Sequence, residues 1–589
     1  MIRLSELRLP LAQAEAPESA LRAAAAAKLS IPEAAIARLD VFKRSFDARK
    51  AELLAVYIVD IELADPASEA ALLARFHKDP HVQPTPDMAW RPPVTAPADW
   101  DGERPVVVGF GPCGIFAALV LAQMGLKPIV LERGKPVRER TQDTWGLWRR
   151  SQLNPESNVQ FGEGGAGLFS DGKLYSQIRD PRFLGRKVMQ EFVDAGAPED
   201  ILWVAHPHVG TFKLVKVVEN LRARITALGG DIRFQHRVTD LLLDQATTPS
   251  PAPPSLRALR VENLATGEIS ELPARHAVLA LGHSSRDTFE MLYRCGVDMV
   301  AKPFSIGVRI EHPQSVIDRA RWGRHAGHPL LGAADYKLVH HARHGQGAGR
   351  AVYSFCMCPG GTVVAATSEA GRVVTNGMSQ YSRAERNANA GMVVGIGPKD
   401  FPRDRQSFID TLGDSFGVEN LPPGSTHPLA GVVLQRQLEA RAYQLGQQGG
   451  APYAAPAQRV GDFLAQRPST GPGSVHPSYK PGVHWCDLHA ILPPYASAAM
   501  REALPAFGRK IRGYDMPDAV LTGLETRTSS PIHIRRGDDL QSLNLRGLYP
   551  AGEGAGYAGG ILSAAVDGIR VGEAVAQAVL GQPMPLENA

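Results

Sequence analysis

Two hydrophobic rhythms alternate along the chain. At the start, "MIRLSELRLPL" places apolar residues at nearly every second position, which predicts a strand with one buried face. "ESALRAAAAAKL" is a strong helix former, and "AVYIVDIEL" predicts a second strand. Between them lies the polar, basic stretch "VFKRSFDARKAEL". Residues 1–80 are therefore expected to form a small α+β domain. Residues 81–103, "HVQPTPDMAWRPPVTAPADWDGE", are proline-rich and lack periodicity, which predicts an extended linker.

From residue 104 the text "RPVVVGFGPCGIFAALVLAQMGLKPIVLERG" reads as strand, turn, helix, strand. "DIRFQHRVTDLLLD" and "RHAVLALGHSS" predict further strands, separated by the proline-rich "TTPSPAPPS", expected to be a surface excursion. After residue 297 the strands lengthen. "VYSFCMCPGGTVVAATS" predicts a hairpin turning at Pro359, Gly360 and Gly361, and "LGQQGGAPYAAPAQ" predicts a loop over 445–458. The end of the chain, "LYPAGEGAGYAGGILSAAVDGI", again reads as a strand, a glycine-crowded turn and a helix.

The first of these turns carries Gly109-x-Gly111-x-x-Gly114 between a strand and a helix. In such a turn the first glycine allows the bend and the second lets a pyrophosphate reach the backbone. The third lets the helix pack on the strand, and the helix N-terminus offers free N–H groups and a positive dipole end to phosphates. Glu132 closes the following strand, where a carboxylate can take ribose hydroxyls. Pro112, Cys113 and Arg133 flank these positions. A chain binding only NAD needs no second glycine turn at its far end, whereas FAD has a second half to seat. Gly552, Glu553, Gly559, Gly560 and Ile561 are expected at the ribityl chain and flavin edge. The helix beginning there would favour the charge that develops on reduction. A third cluster, "FGEGGAGLFSDGKL", is expected to lie over the flavin or pyrophosphate through Gly164, Gly165, Ser170, Asp171 and Lys173. Val238 and Gly282, in the next two predicted strand regions, are counted with the cofactor contacts. The expected fold class is α/β. A Rossmann-type FAD-binding domain at 104–296 and 531–589 is interrupted by an α+β substrate or cap domain at 297–530, behind the small N-terminal domain.

Composition narrows the function. Hydrophobic content of 44% and charged content of 21% fit an ordinary globular chain of 589 residues, long enough for several domains. The net charge is only +4, from 64 basic and 60 acidic residues, which points away from nucleic acid. The basic "FKRSFDARK" is accordingly read as a solvated helix face rather than an RNA contact. No signal peptide and no apolar run of membrane length is visible, so the expected location is cytoplasmic, with no membrane partner. The five cysteines include no CxxC pair, so neither a disulfide framework nor a zinc site is expected. His206, His208, His340 and His341 lack a recognisable ligand spacing, and no metal is expected.

The sequence resembles a bacterial family of uncharacterised FAD-dependent dehydrogenases, relatives of the flavoproteins with two dinucleotide-binding domains. The resemblance covers nearly the whole chain. It rests on "KRSFDARK", "GFGPCGIFAAL", "FGEGGAGLFSDGKL", "HPHVGTFKL", "LALGHSSRDTFEML", "KPFSIGVRIEHP", "YSFCMCPGGTVVAATSE", "GLETRTSSPIHI" and the C-terminal turn. It implies FAD bound by a Rossmann-type domain, with a substrate domain inserted before the last strand and helix, and it implies no substrate. Leu168 departs from the family pattern, where a smaller or polar residue is expected.

The leading expectation is an FAD-dependent oxidoreductase (a dehydrogenase or reductase) that moves a hydride or electron pair between FAD and a small organic substrate. No second complete dinucleotide fold is visible, so NADH or NADPH is expected only as a transient co-substrate, with an electron-donor protein as the other source. The alternatives are a flavoprotein that modifies an RNA base and a redox regulator without catalysis. For the chemistry, Arg527 in "GLETRTSSP" could hold a carboxylate or anionic flavin, Tyr557 could reach the ring, and Lys173 is a third candidate. Cys356 and Cys358 stand two apart on a predicted strand, so both thiols are expected on one face. They are read as small buried hydrophobes in preference to a redox pair, and Cys113 as a packing residue.

Overall fold

The computed structural model describes residues 1–48, 52–244 and 253–582. Most of "TTPSPAPPS" and the last two residues of "FKRSFDARK" lie outside them.

The N-terminal residues form a four-stranded antiparallel sheet in the order Ile36–Asp47, Leu54–Leu63, Ile2–Pro10, Val82–Pro84. The alternation read in the sequence buries Ile2, Leu4, Val59 and Ile61 against Leu21 of the helix Glu18–Leu29. The basic stretch is not a helix face. Pairing along the neighbouring strand Leu54–Leu63 makes it the edge strand Ile36–Asp47, with Val41 opposite Val59 and Phe46 opposite Ala55. Part of that edge is covered. The Arg44 N–H donates to the Trp203 carbonyl at 2.6 Å, the Ala205 N–H donates to the Arg44 carbonyl at 2.9 Å, and the Arg44 guanidinium lies 4.6 Å from the Trp203 ring.

The proline-rich segment runs along the body of the protein. Val94 and Ala96 are buried, the Ala96 N–H donates to the Met124 carbonyl, and the Trp90 indole donates to Glu573 at 2.8 Å.

The fingerprint strand Val106–Val108 belongs to a parallel sheet ordered Leu548–Pro550, Ala277–Leu279, Val106–Val108, Ile129–Glu132, Asp231–Phe234. Its strand near the C-terminus therefore lies two places from the fingerprint strand. The first four of these strands are short, mainly apolar runs buried on both faces, as a parallel sheet between helices requires, and the edge strand Asp231–Phe234 is half-buried. This is the Rossmann-type α/β fold that the sequence predicts.

A larger, mainly antiparallel sheet occupies the stretch between Phe304–Pro313 and Val520–Glu525, which pair with each other near its centre. The chain leaves the parallel-sheet region through Met299–Ala301 and returns through Ile532–Ile534, and these two short strands pair antiparallel. Two expectations fail here. Pro359, Gly360 and Gly361 do not turn a hairpin, because Ala351–Ala365 is one strand of 15 residues. Its first half pairs with Asn387–Ile396 and its last five residues with Thr375–Ser379. Proline lacks an N–H for the ladder and Gly360 adopts φ +41°, so this site kinks the strand and changes its partner without reversing it. The segment 445–458 is not a loop throughout. The helix Ala430–Gly446 runs into it, and it ends in the strand Ala455–Arg459, whose small side chains fit a buried position beside Val520–Glu525. Among the described residues no helix is long and apolar enough to cross a membrane.

Candidate functional site

The three fingerprint glycines meet different constraints. Gly109 has φ +100°, and a Cβ there would stand 2.3 Å from the Ala280 carbonyl oxygen. A Cβ on Gly114 would stand 1.9 Å from the Gly109 carbonyl oxygen, so the helix Pro112–Gln123 can approach its strand only without one. Gly111 is unlike both. A Cβ there would meet the protein only at the Gly165 Cα, at an ordinary 3.5 Å. Packing within the protein does not require Gly111 to be glycine, and the position opens into the cavity. Glu132 ends its strand with a buried carboxylate that accepts N–H groups from Phe110 and Gly134 at 2.8 Å and from Gly162 at 3.0 Å. Three of its roughly four acceptor positions are filled, leaving one for a hydroxyl.

The second glycine cluster folds back over this turn. The Gly164 N–H donates to the Phe110 carbonyl at 2.8 Å, and Gly165 packs against Gly111. Arg140, fully buried, holds the loop from below. Its guanidinium donates to the carbonyls of Asn158, Val159 and Glu163 at 2.7–2.8 Å. Burial lowers its pKa to about 10, which leaves it charged at neutral pH. Nothing in the sequence marked this arginine, since its partners are main-chain atoms.

The C-terminal turn is brought to the same place by helix packing. The helix Ile561–Val579 crosses Pro112–Gln123 at two glycines. A Cβ on Gly568 would be 2.2 Å from the Cys113 carbonyl oxygen, and one on Gly572 would be 2.5 Å from Val120. The close crossing sets the two helix N-termini side by side. Asp567 accepts the Gly552 N–H at 2.7 Å and pairs with Arg536 at 2.6 Å. The Glu553 carboxyl lines the cavity, and among the described residues it has no hydrogen-bond partner, although its main-chain carbonyl accepts the Gly556 N–H at 3.0 Å. Burial pushes its carboxyl up to about 8, with Lys302 opposing the shift, so it carries a proton at neutral pH.

One cavity of about 370 Å³ joins both turns. Gly109, Gly111, Pro112, Cys113, Glu132 and Arg133 line it on the fingerprint side. Gly165, Ser170, Asp171 and Lys173 line it from the glycine-rich loop, and Val238 and Gly282 from the adjoining strand regions. Glu553, Gly559, Gly560 and Ile561 line it at the far end. Three expected contacts sit behind the wall. Gly114 packs on Gly109, Gly552 packs on the Cys113 side chain, and Gly164 lines a small apolar void beside Leu168. Arg133 reaches the cavity, but its guanidinium is engaged by Glu156 and Asp287 at 2.8–2.9 Å.

The three candidates for chemistry fare differently. Tyr557 does not line the cavity. Its ring lies 3.7 Å from the Arg536 guanidinium and its hydroxyl accepts the Arg536 N–H, so it packs on the outer side of the turn. Arg527 does line the cavity, but its donors are occupied by Glu439, Ser284 and Ser368 at 2.8–3.2 Å. Arg286 pairs with the same carboxylate at 2.5 Å. Burial would raise the Glu439 carboxyl, but Arg286 and Arg527 hold it down at about 2. Arg527 is thus a fixed charge in a buried network rather than a mobile hand for a substrate. Lys173 lines the cavity and donates to the Met357 carbonyl. Burial disfavours its charge, but Asp171 and Tyr175 outweigh that and raise its pKa. The histidines have other partners: His206 meets Asp335 at 3.2 Å, His208 the Tyr381 carbonyl, and His340 Glu502.

The cysteines depart from the expected geometry. A register shift between Phe355 and Cys358 breaks the alternation, and Cys356 adopts φ +42°. The two thiols stay close to each other but differ in access. Cys356 lines the cavity, whereas Cys358 is fully buried behind it.

A dinucleotide longer than NAD's adenylate half fits these residues. Two helix N-termini, a carboxylate with spare acceptor capacity, a turn open at Gly111 and a proton-bearing carboxyl at the far end all face one space. Known proteins agree on the family. Residues 303–528 match the family model described as FAD-dependent protein, C-terminal domain-like, and residues 1–62 match a domain of unknown function. An uncharacterized protein of Clostridium beijerinckii is 45% identical over 548 residues, covering 93% of each chain. Solved structures are more distant. A mutant of E. coli quinol fumarate reductase FrdA is 11% identical, with 82% of this chain and 71% of that one covered at a TM-score of 0.33. A 3-ketosteroid dehydrogenase of Rhodococcus jostii is 14% identical, with 82% and 100% covered at 0.33. Likenesses this low carry no argument about activity. With 45% identity over 93% of its length to the Clostridium protein and the matching C-terminal domain, this chain belongs to a bacterial family of FAD-dependent proteins, and FAD is its cofactor.

Proposed function

We propose that the protein is an oxidoreductase that exchanges a hydride or electron pair with a small organic substrate at the far end of the cavity. The carrying observation is the single cavity bounded at one end by the fingerprint and at the other by the C-terminal turn, with titratable side chains gathered at that second end. Bound FAD supplies the acceptance or donation of the electron pair. The chain supplies the rest. Glu132 takes a ribose hydroxyl, and the helix beginning after Gly111 faces the pyrophosphate. Gly559 and Gly560, ahead of the second helix, leave backbone space for the flavin half. Glu553 holds a proton at its carboxyl and can donate it as negative charge develops nearby. Lys173 keeps a positive charge at the wall, where an anionic substrate group or reduced cofactor would meet it. Arg527 and Glu439 fix the wall behind these groups. Reducing equivalents come from NADH or NADPH bound transiently, or from an electron-donor protein.

The test is the visible spectrum of the purified protein under anaerobic conditions, before and after NADH and then NADPH. The reading predicts a flavin spectrum that bleaches with one nucleotide. A protein that takes up no flavin even after reconstitution with FAD would overturn it.

A further inference from the structure

The strand that was expected to turn at Pro359 instead bulges, and the bulge sorts two thiols into distinct places. Cys356 faces the cavity, in a backbone conformation unusual for a residue with a side chain. Cys358 sits immediately behind, fully buried, with its thiol 3.4 Å from the Cys356 carbonyl oxygen. Two cations anchor the same loop of backbone. Arg309 donates to the Cys356 carbonyl at 2.9 Å and Lys173 to the Met357 carbonyl. Glu525, paired with Arg309 at 2.8 Å, Asp171 beside Lys173 at 4.0 Å, and Glu553 across the cavity are the nearby carboxyl groups. None of these contacts is needed to bind a dinucleotide, and simple packing does not call for an accessible thiol backed by a second thiol.

We propose that Cys356 and Cys358 are a redox-active dithiol at the flavin end of the cavity, with Cys356 as the attacking thiolate and Cys358 as the resolving thiol. The inference deepens the oxidoreductase reading and rests on it. Counted from the two neutral thiols, Cys356 first gives its proton to solvent and becomes the thiolate, and the Cys358 S–H bond then breaks as one S–S bond forms. The electron pair and the Cys358 proton go to the bound FAD. The reverse step reduces the disulfide. Access and charge suit the roles. An attacking thiol must be reachable and ionised, whereas a resolving thiol need only be adjacent. The Cys358 thiol, in hydrogen-bonding reach, is the largest influence on Cys356. Burial opposes it, Arg309 and Lys173 add to it, and the Cys356 thiol is lowered from its ordinary value. Cys358 moves the other way and stays protonated.

The experiment uses the full-length FAD-loaded protein and maps each cysteine by mass spectrometry. Pulsed alkylation with iodoacetamide from pH 5 to 9 should modify Cys356 with a midpoint clearly below the ordinary thiol value and leave Cys358 largely untouched. A midpoint near the ordinary thiol value of ~8.5 would contradict the proposal. Glutathione disulfide should convert the pair to an intramolecular disulfide in the wild type. In Cys358→Ser the same reagent should leave a stable glutathione adduct on Cys356. A persistent adduct in the wild type, or no reaction at Cys356, would overturn the assignment. Anaerobic dithiothreitol should then bleach the flavin of the wild type at least ~10-fold faster than that of Cys356→Ser; equal rates would remove the pair from the path to FAD. The mapping reads the thiols whether or not flavin is present, and the spectrum reads flavin directly. Failure of the dithiol and failure of the FAD reading are therefore separable.

Discussion

The two ends of the cavity are built on opposite principles. At the fingerprint end nearly every polar group of the protein is already satisfied: Glu132 accepts three main-chain N–H groups, Arg140 donates to carbonyls, and Arg133 is held by two carboxylates. At the far end the Glu553 carboxyl has no hydrogen-bond partner among the described residues and is raised, and the Cys356 thiol is lowered. The first end is a finished socket that recognises a constant part of the ligand. The second keeps groups away from their ordinary protonation states, as a place where protons and electrons move would.

The largest effect expected from breaking this contrast is at the socket. Gly114→Ala puts a Cβ 1.9 Å from the Gly109 carbonyl oxygen and must separate helix from strand. Loss of soluble, folded protein is expected, read as yield and a cooperative thermal transition. An unchanged transition would show that the turn yields where the packing says it cannot.

Next comes the wall behind the far end. Glu439→Gln removes the carboxylate that Arg286 and Arg527 share, leaving Arg286 only Glu369 at 3.2 Å, and removal of one partner of a buried charge network costs about 3–5 kcal/mol. Denaturant unfolding measures it. The wild-type pH dependence has a definite sign. Glu439 is held at about 2, below its unfolded value, so its contribution is complete above about pH 4.5 and is lost as pH falls toward 2.

A smaller effect separates recognition from stability. Glu132→Gln replaces an acceptor pair by one acceptor and one donor, so one of the three N–H groups loses its partner. Flavin affinity should fall about 30-fold, roughly 2 kcal/mol, in an FAD titration. An unchanged affinity would remove Glu132 from the adenosine contacts.

The smallest expected effect belongs to the far end. Glu553 has its folded pKa raised to about 8, so the flavin-free protein should lose stability as pH rises from about 4.5 to 8. The carboxyl faces the cavity and water screens it, so the slope integrates to about 1 kcal/mol. Glu553→Gln should abolish that slope without changing stability at pH 4.

The same contrast explains what the sequence disclosed. Socket residues are legible because their roles are local. The glycine spacing, the strand before it and the acid 18 residues after Gly114 all lie within one βαβ unit. The far end is assembled from segments 150 or more residues apart, such as Arg286 with Glu439 or Arg309 with Glu525. No periodicity encodes such pairings, so Arg527 could be found as a polar residue but not as a member of a closed network. Gly568 and Gly572, four residues apart on the last helix, were a readable sign of a close helix crossing, though their partner helix was not. The bulge at Cys356 was hidden for a different reason. Strand alternation assumes a regular ladder, and "CMCPGG" combines a proline and two glycines that break one.

The central claim is that one FAD occupies both turns, and Gly111 and Gly559 test it together. Both line the cavity, Gly111 has only an ordinary protein contact for a Cβ, and Gly559 has none within 4 Å. Equilibrium titration of flavin-free protein with FAD, for the wild type, Gly111→Leu and Gly559→Leu, is the most direct measurement. The account predicts one FAD per wild-type chain, and loss of binding in both variants with their thermal transitions preserved. FAD retained at wild-type affinity by a folded Gly559→Leu would mean that the C-terminal turn is not its seat, and the account of two turns sharing one cofactor would be wrong.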